Sequence, residues 1–213
     1  MTALRAIALA VVAATAGCSV GVLIPRSPMP TTLEGDWATR RDAATRRDLI
    51  YDGLKHRATV TATHLSLAVR EARARRLAEW LGWTPVELEQ RLALERKEAA
   101  ETEEFEVSLY TAETHYNNLD GPRSDWRVAL KVDGADLFPR KVTVVERDAA
   151  TLGLFPFVGP FDTVYRVIAP MPQGGPVEGR EYILELASAL GKLTLDYGKP
   201  DGVLSPQQPV PPP

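Results

Sequence analysis

The chain has 213 residues, 45% hydrophobic and 25% charged, with a formal net charge of -3. That is the composition of a globular chain of one domain or two small ones, and the near balance of charge argues against a dedicated nucleic-acid binder. One cysteine excludes an intrachain disulfide and a Cys-pair zinc site, and three histidines leave little room for a histidine metal cluster.

Residues 1–24 carry a single charge, Arg5. From Ala6 to Ala16 every residue is small or apolar, and Cys18 follows Gly17. A basic start, a short apolar run and a small-residue exit are the parts of a secretory signal. The segment Ala16-Gly17-Cys18 resembles the lipobox of bacterial lipoproteins, in which an aliphatic residue and two small residues precede the cysteine. Thr15 departs from that pattern. The resemblance implies cleavage before Cys18, diacylation of its thiol and acylation of the new amine, which makes Cys18 the lipid-attachment residue. Ser19 after the cysteine, rather than Asp, implies an outer-membrane address facing the periplasm. Two alternatives stay open. Ala14-Thr15-Ala16 is also an ordinary cleavage site that would release a soluble protein, and residues 6–24 are about long enough to span a bilayer.

Residues 18–35 read as the anchor and a tether, with Pro25, Pro28 and Pro30 favouring extended backbone. Residues 36–104 are rich in Ala, Arg, Glu and Leu, and Pro85 is their one proline. That composition favours helix. Thr84 is placed to cap a helix with Pro85 at its first position, Glu87 completes a capping box, and Gly82 suits the end of a preceding helix. A helical hairpin turning at residues 82–84 is predicted. Its second helix runs from Pro85 to about Glu104. Its first begins as early as Asp36, with Gly53 and Thr59-Val60-Thr61 as weak points. Pairing outward from that turn sets Arg70 and Arg73 near Glu95 and Glu98, in exposed ion pairs of small individual effect, about 0–1 kcal/mol each.

Residues 105–199 change period. Phe105, Val107 and Leu109 alternate with polar neighbours, as do Trp126, Val128, Leu130 and Val132, and later Leu193, Leu195 and Tyr197. Period-two alternation between Gly-, Pro- and Asn-rich turns marks six or seven short strands with one buried face. The predicted fold class is α+β, a helical hairpin followed by an immunoglobulin-like antiparallel β-sandwich with Trp126 as its core aromatic. Residues 200–213 end in a proline-rich tail with no core-forming pattern. The lipobox-like start, the helical stretch, the strand at Phe105, the Asn117-Asn118-Leu119 turn and Trp126-Arg127-Val128-Ala129-Leu130 together resemble uncharacterised bacterial lipoproteins. That resemblance implies no transferable activity.

No nucleophile elbow, zincin helix, P-loop or dinucleotide fingerprint occurs. His56 and His64, eight apart, are too far along one helix to share a metal and read as surface or interface histidines. Asp133, Asp136 and Asp162 lie between strands without the ligand spacing of a calcium loop. His115, Tyr116, Asn117 and Asn118 form one potential binding loop, and Phe155 and Phe157 lie in another. No catalytic residue, metal or cofactor is assigned. The expected function is that of a non-catalytic envelope lipoprotein, structural or interacting with another envelope protein. The alternative is a carbohydrate- or peptide-binding module using those loops. An enzyme would need a histidine or carboxylates gathered from distant segments.

Overall fold

The computed structural model describes residues 35–198. Cys18, the signal, nearly all of the tether and the proline-rich tail lie outside the described residues. Helix α1, Gly35–Ala43, leads into strands β1, Thr45–Asp52, and β2, Lys55–His64. Helices α2, Leu67–Leu81, and α3, Pro85–Ala99, follow. Then come β3, Thr102–Thr111, a single 3-10 turn at Thr114–Tyr116, β4, Arg127–Val132, β5, Ala135–Leu137, and β6, Lys141–Val145. The last elements are α4, Ala149–Leu154, β7, Thr163–Pro170, β8, Tyr182–Ser188, and β9, Gly191–Asp196.

The strands form two antiparallel sheets, ordered β1-β2-β3-β7-β6 and β5-β4-β8-β9, stacked as a sandwich. Alternation explains the stacking. On β3, Phe105, Val107 and Leu109 point inward and are fully buried against Leu130, Leu184, Leu193 and Leu195 of the other sheet. Trp126 belongs to this core, and its indole N–H donates to the Tyr116 carbonyl at 2.7 Å. The helical-hairpin turn forms as expected. Gly82 takes the left-handed conformation at φ 65°, and the reciprocal Thr84–Glu87 capping box opens α3. Among the described residues no helix is long and apolar enough to cross a membrane.

One expectation is corrected. The first helix does not run from Asp36; β1 and β2 occupy residues 45–64 and join the larger sheet. Gly53, at φ 58°, closes their hairpin, and Ala58, Val60 and Ala62 alternate inward from Thr59, Thr61 and Thr63. β-branched residues at every other position favour the pleated strand over the helix. The second helix is also shorter than expected, because Glu103 and Glu104 already belong to β3.

The hairpin α2–α3 lies on the outer face of the five-stranded sheet, and charge holds it there. Glu104 and Glu106 point outward from β3, and Arg166 of β7 contacts both at 2.9 Å. From α2, Arg70 reaches Glu104 at 2.8 Å and Arg73 reaches Glu95 of α3 at 3.2 Å. Arg70 also meets Glu98 at 3.9 Å, so the predicted cross-helix pairing is present. Its setting differs from expectation: Arg70, Glu95 and Glu106 are each about 1% exposed. The sheet face covers what an isolated hairpin would leave in water. Burial pushes the Glu106 carboxyl up despite Arg166, and its Oε1 has no hydrogen-bond partner among the described residues. A smaller apolar cluster of Trp37, Leu65, Val69, Ala72, Leu154 and Phe155 joins α1, α2 and α4 beside this seam.

Candidate functional site

The loop residues nominated from sequence are placed singly. His115 is exposed, with its ring against Tyr116 at 4.1 Å. The Tyr116 carbonyl serves Trp126, and the Asn117 side chain accepts from Thr111 at 2.9 Å. Asn118 donates to the Asp125 carboxylate at 2.8 Å, so both asparagines shape the loop. Phe155 is corrected from a loop aromatic to a core residue, 2% exposed, edge-on to Trp37 at 5.7 Å. It ends α4, where the chain turns inward. Phe157 packs half-buried against Phe155. None of these six lines either cavity described next.

A different group comes together where β2, β3 and β8 end. His64 is buried inside the chain, which corrects its reading as a surface or interface histidine. It lies on β2 with His56, so the eight residue steps from one to the other span about 26 Å of strand rather than a helix. His56 instead stacks on Tyr110, with centroids 5.1 Å apart. His64 has both ring nitrogens engaged. Nε2 meets Glu103 Oε2 at 2.8 Å, and Nδ1 meets the Tyr182 hydroxyl at 2.7 Å. The Val177 amide donates to the other Glu103 oxygen at 2.8 Å. Both ring nitrogens of His64 are thereby hydrogen-bonded inside the protein.

The surroundings set the protonation of this relay. Burial pushes Glu103 up, but the His64 hydrogen bond and charge, the Val177 amide and Arg70 outweigh it and hold the carboxyl below its usual range. Burial, reinforced by the Glu103 carboxylate, pushes the Tyr182 phenol well up. Tyr197 stacks on Tyr182 with centroids 4.8 Å apart, and its hydroxyl donates to the Ala62 carbonyl at 2.9 Å. Burial and the neighbouring Tyr182 push its phenol up as well. Both phenols stay protonated near neutrality.

Two cavities flank the relay. One, of about 480 Å³, is walled by Tyr182, Tyr197 and the start of α2, with Arg40, Arg46 and Arg180 also lining it. The second, of about 320 Å³, has Leu65, Leu67, Ala99, Ala100 and Pro176 among its walls. His64, Ser66 and Glu178 line both, and the Ser66 hydroxyl donates to Glu178 at 3.2 Å. Volumes of this size suit a small ligand. Among the described residues no three or more His, Cys, Asp or Glu side chains are grouped to hold a metal. Asp162 accepts from Ser108 and the Gly159 amide, as a turn-forming residue does.

No family model matches the chain, and no curated protein matches it. Among solved structures it is similar to a novel protein of unknown function from Burkholderia pseudomallei, at 12% identity and a TM-score of 0.42. That alignment covers 77% of this chain and 82% of the other.

Proposed function

We propose that the protein is a non-catalytic cell-envelope lipoprotein acting as a structural or protein-interaction module. A lipid on Cys18 holds it at the outer membrane facing the periplasm, and its partner is another envelope protein. Arg5, the apolar run and Ala16-Gly17-Cys18 support the address, and lipidation gives the single cysteine of an exported chain its role. The observation that carries the non-catalytic reading is the wiring of His64. The buried histidine beside both cavities spends both nitrogens inside the protein, on Glu103 and Tyr182. A general base needs a nitrogen, or a readily ionised relay group, facing its substrate. Toward the cavity of about 480 Å³ the relay presents a phenol whose ionisation burial opposes, and toward the one of about 320 Å³ it presents Glu103, whose two oxygens are taken by His64 and the Val177 amide.

The cavity of about 480 Å³ favours a second reading, a carbohydrate- or peptide-binding module. Its seat would be this seam rather than the loops at His115 and Phe155. Site-directed photo-crosslinking in intact envelopes tests both. The expected result is one envelope protein captured reciprocally, from this chain and from the partner. Saturable binding of a carbohydrate or peptide without such capture selects the second reading. Turnover of a substrate by the purified chain, abolished in His64→Ala, overturns both.

A further inference from the structure

The far end of the α2–α3 hairpin carries apolar side chains that the fold leaves uncovered. Leu81 and Val86 are 61% and 66% exposed, Trp80 is exposed, and Trp83 is half-buried in the turn. Leu152 of α4 is exposed beside them, and its neighbour Gly153 lies under the Trp80 ring. A Cβ on Gly153 would come within 2.8 Å of that indole, so the glycine lets Trp80 lie across α4. The nearby arginines are already paired, while the exposed Glu87 carboxylate, next to Val86, bonds only to Thr84 among the described residues. Arg76 stacks over Trp80 at 4.7 Å and pairs with Glu79, while Arg75 pairs with Glu71.

The position of this patch relative to the chain's entry matters. Trp37, near the start of α1, donates its indole N–H to the Leu154 carbonyl, at the end of α4. The chain therefore enters the fold beside the same short helix that supports Trp80. The segment from Cys18 to Gly35 reaches roughly 50 Å when extended. A tether leaving the fold beside α4 allows this end of the molecule to meet the surface in which its lipid is held.

We propose that the hairpin end is a membrane-docking surface. Leu81 and Val86 enter the boundary between headgroups and acyl chains, and Trp80 and Trp83 sit at headgroup level, where indoles partition with the ring apolar and the N–H wet. Because Arg75 and Arg76 are paired and Glu87 adds a carboxylate at the tip, the surface suits zwitterionic lipid rather than an anionic patch. The proposal rests on the lipid-anchor reading above, since a tethered chain meets the bilayer at high effective concentration.

The test couples the chain, from Cys18 onward, through its single cysteine to a maleimide lipid in phosphatidylcholine vesicles. Bromine on the acyl chains then quenches any indole that reaches them. Trp37 and Trp126 are buried, at 3% and 5% exposure, so quenching reports on Trp80 and Trp83. The expected result is a partial loss of emission, smaller than the share carried by those two residues because they sit at headgroup level, and no loss in the Leu81→Glu/Val86→Glu variant. Both substituted positions are exposed, and an unchanged melting temperature confirms that the variant folds. Equal emission in brominated and plain vesicles overturns the proposal, as does quenching that persists in the variant. Crosslinking at position 86 to an envelope protein, without quenching, also overturns it in favour of protein docking. The coupled lipid supplies the anchor in this assay. An unacylated natural Cys18 therefore overturns the anchor reading separately from the docking result.

Discussion

Arg70→Met should lower the melting temperature by about 10 °C, read by circular dichroism. The Arg70 guanidinium donates to the Leu65 carbonyl at 2.7 Å and the Thr102 carbonyl at 3.2 Å, and it meets Glu104 at 2.8 Å. Removing it leaves two carbonyls and a buried carboxylate under-satisfied. Breaking one side of a buried ion pair costs about 3–5 kcal/mol. At roughly 2–4 °C per kcal/mol for a domain of this size, the drop is near 10 °C. Replacing Arg73 and Glu95 together by leucine should cost far less, because both desolvated charges leave at once. A small loss in Arg70→Met would show that the seam between hairpin and sheet is hydrated and weakly coupled.

The second large effect is a contrast in pH dependence between two carboxylates on opposite faces of β3. Glu103 faces the sandwich and has its carboxyl held below the usual range, with the His64, Val177 and Arg70 interactions outweighing burial. Its contribution is therefore full above the ordinary carboxylate pKa and is lost as pH falls through the lower folded value. Glu106 faces the helices and is pushed up, chiefly by burial. The folded protein binds its proton more tightly than the unfolded chain, so its ionisation costs stability as pH rises through the raised folded value. Glu103→Gln should lose about 2 kcal/mol near neutral pH, from the weakened charge-assisted hydrogen bonds. It should also flatten the acid limb of the stability profile. Glu106→Gln should be neutral or stabilising near neutral pH, since Arg166 keeps Glu104. Denaturant unfolding across the acid range measures both, and the same loss in both variants would contradict these environments.

The helical turn and the later strands were legible because their signals are local. Gly82, Thr84, Pro85 and Glu87 act within a few residues of each other, and strands such as β7, β8 and β9 repeat their own period of two. The β1–β2 hairpin was not, because its arginines and alanines carry a helical composition over a two-residue alternation. Once Ala58, Val60 and Ala62 are seen to share the inward face, His64 falls on it by parity. That was the available signal for the relay. Its partners Glu103 and Tyr182 meet His64 only when the two sheets stack, which no local pattern states. The ion seam divides the same way. Hairpin geometry is enough to pair Arg70 and Arg73 with Glu95 and Glu98. Their burial depends on Glu104, Glu106 and Arg166, and a period-two pattern marks such residues only as outward. Phe155 was misplaced for the same kind of reason, since the helix it terminates folds it onto Trp37.

We propose that this α+β body is delivered to the envelope and held there by one residue, Cys18. Intact mass of the mature protein from the native envelope, alongside a Cys18→Ser control, tests it most directly. The expected result is a chain beginning at Cys18 and heavier by its acyl groups, with that added mass absent from the control. An unlipidated chain beginning at Gly17, or an uncleaved chain of all 213 residues, would contradict it.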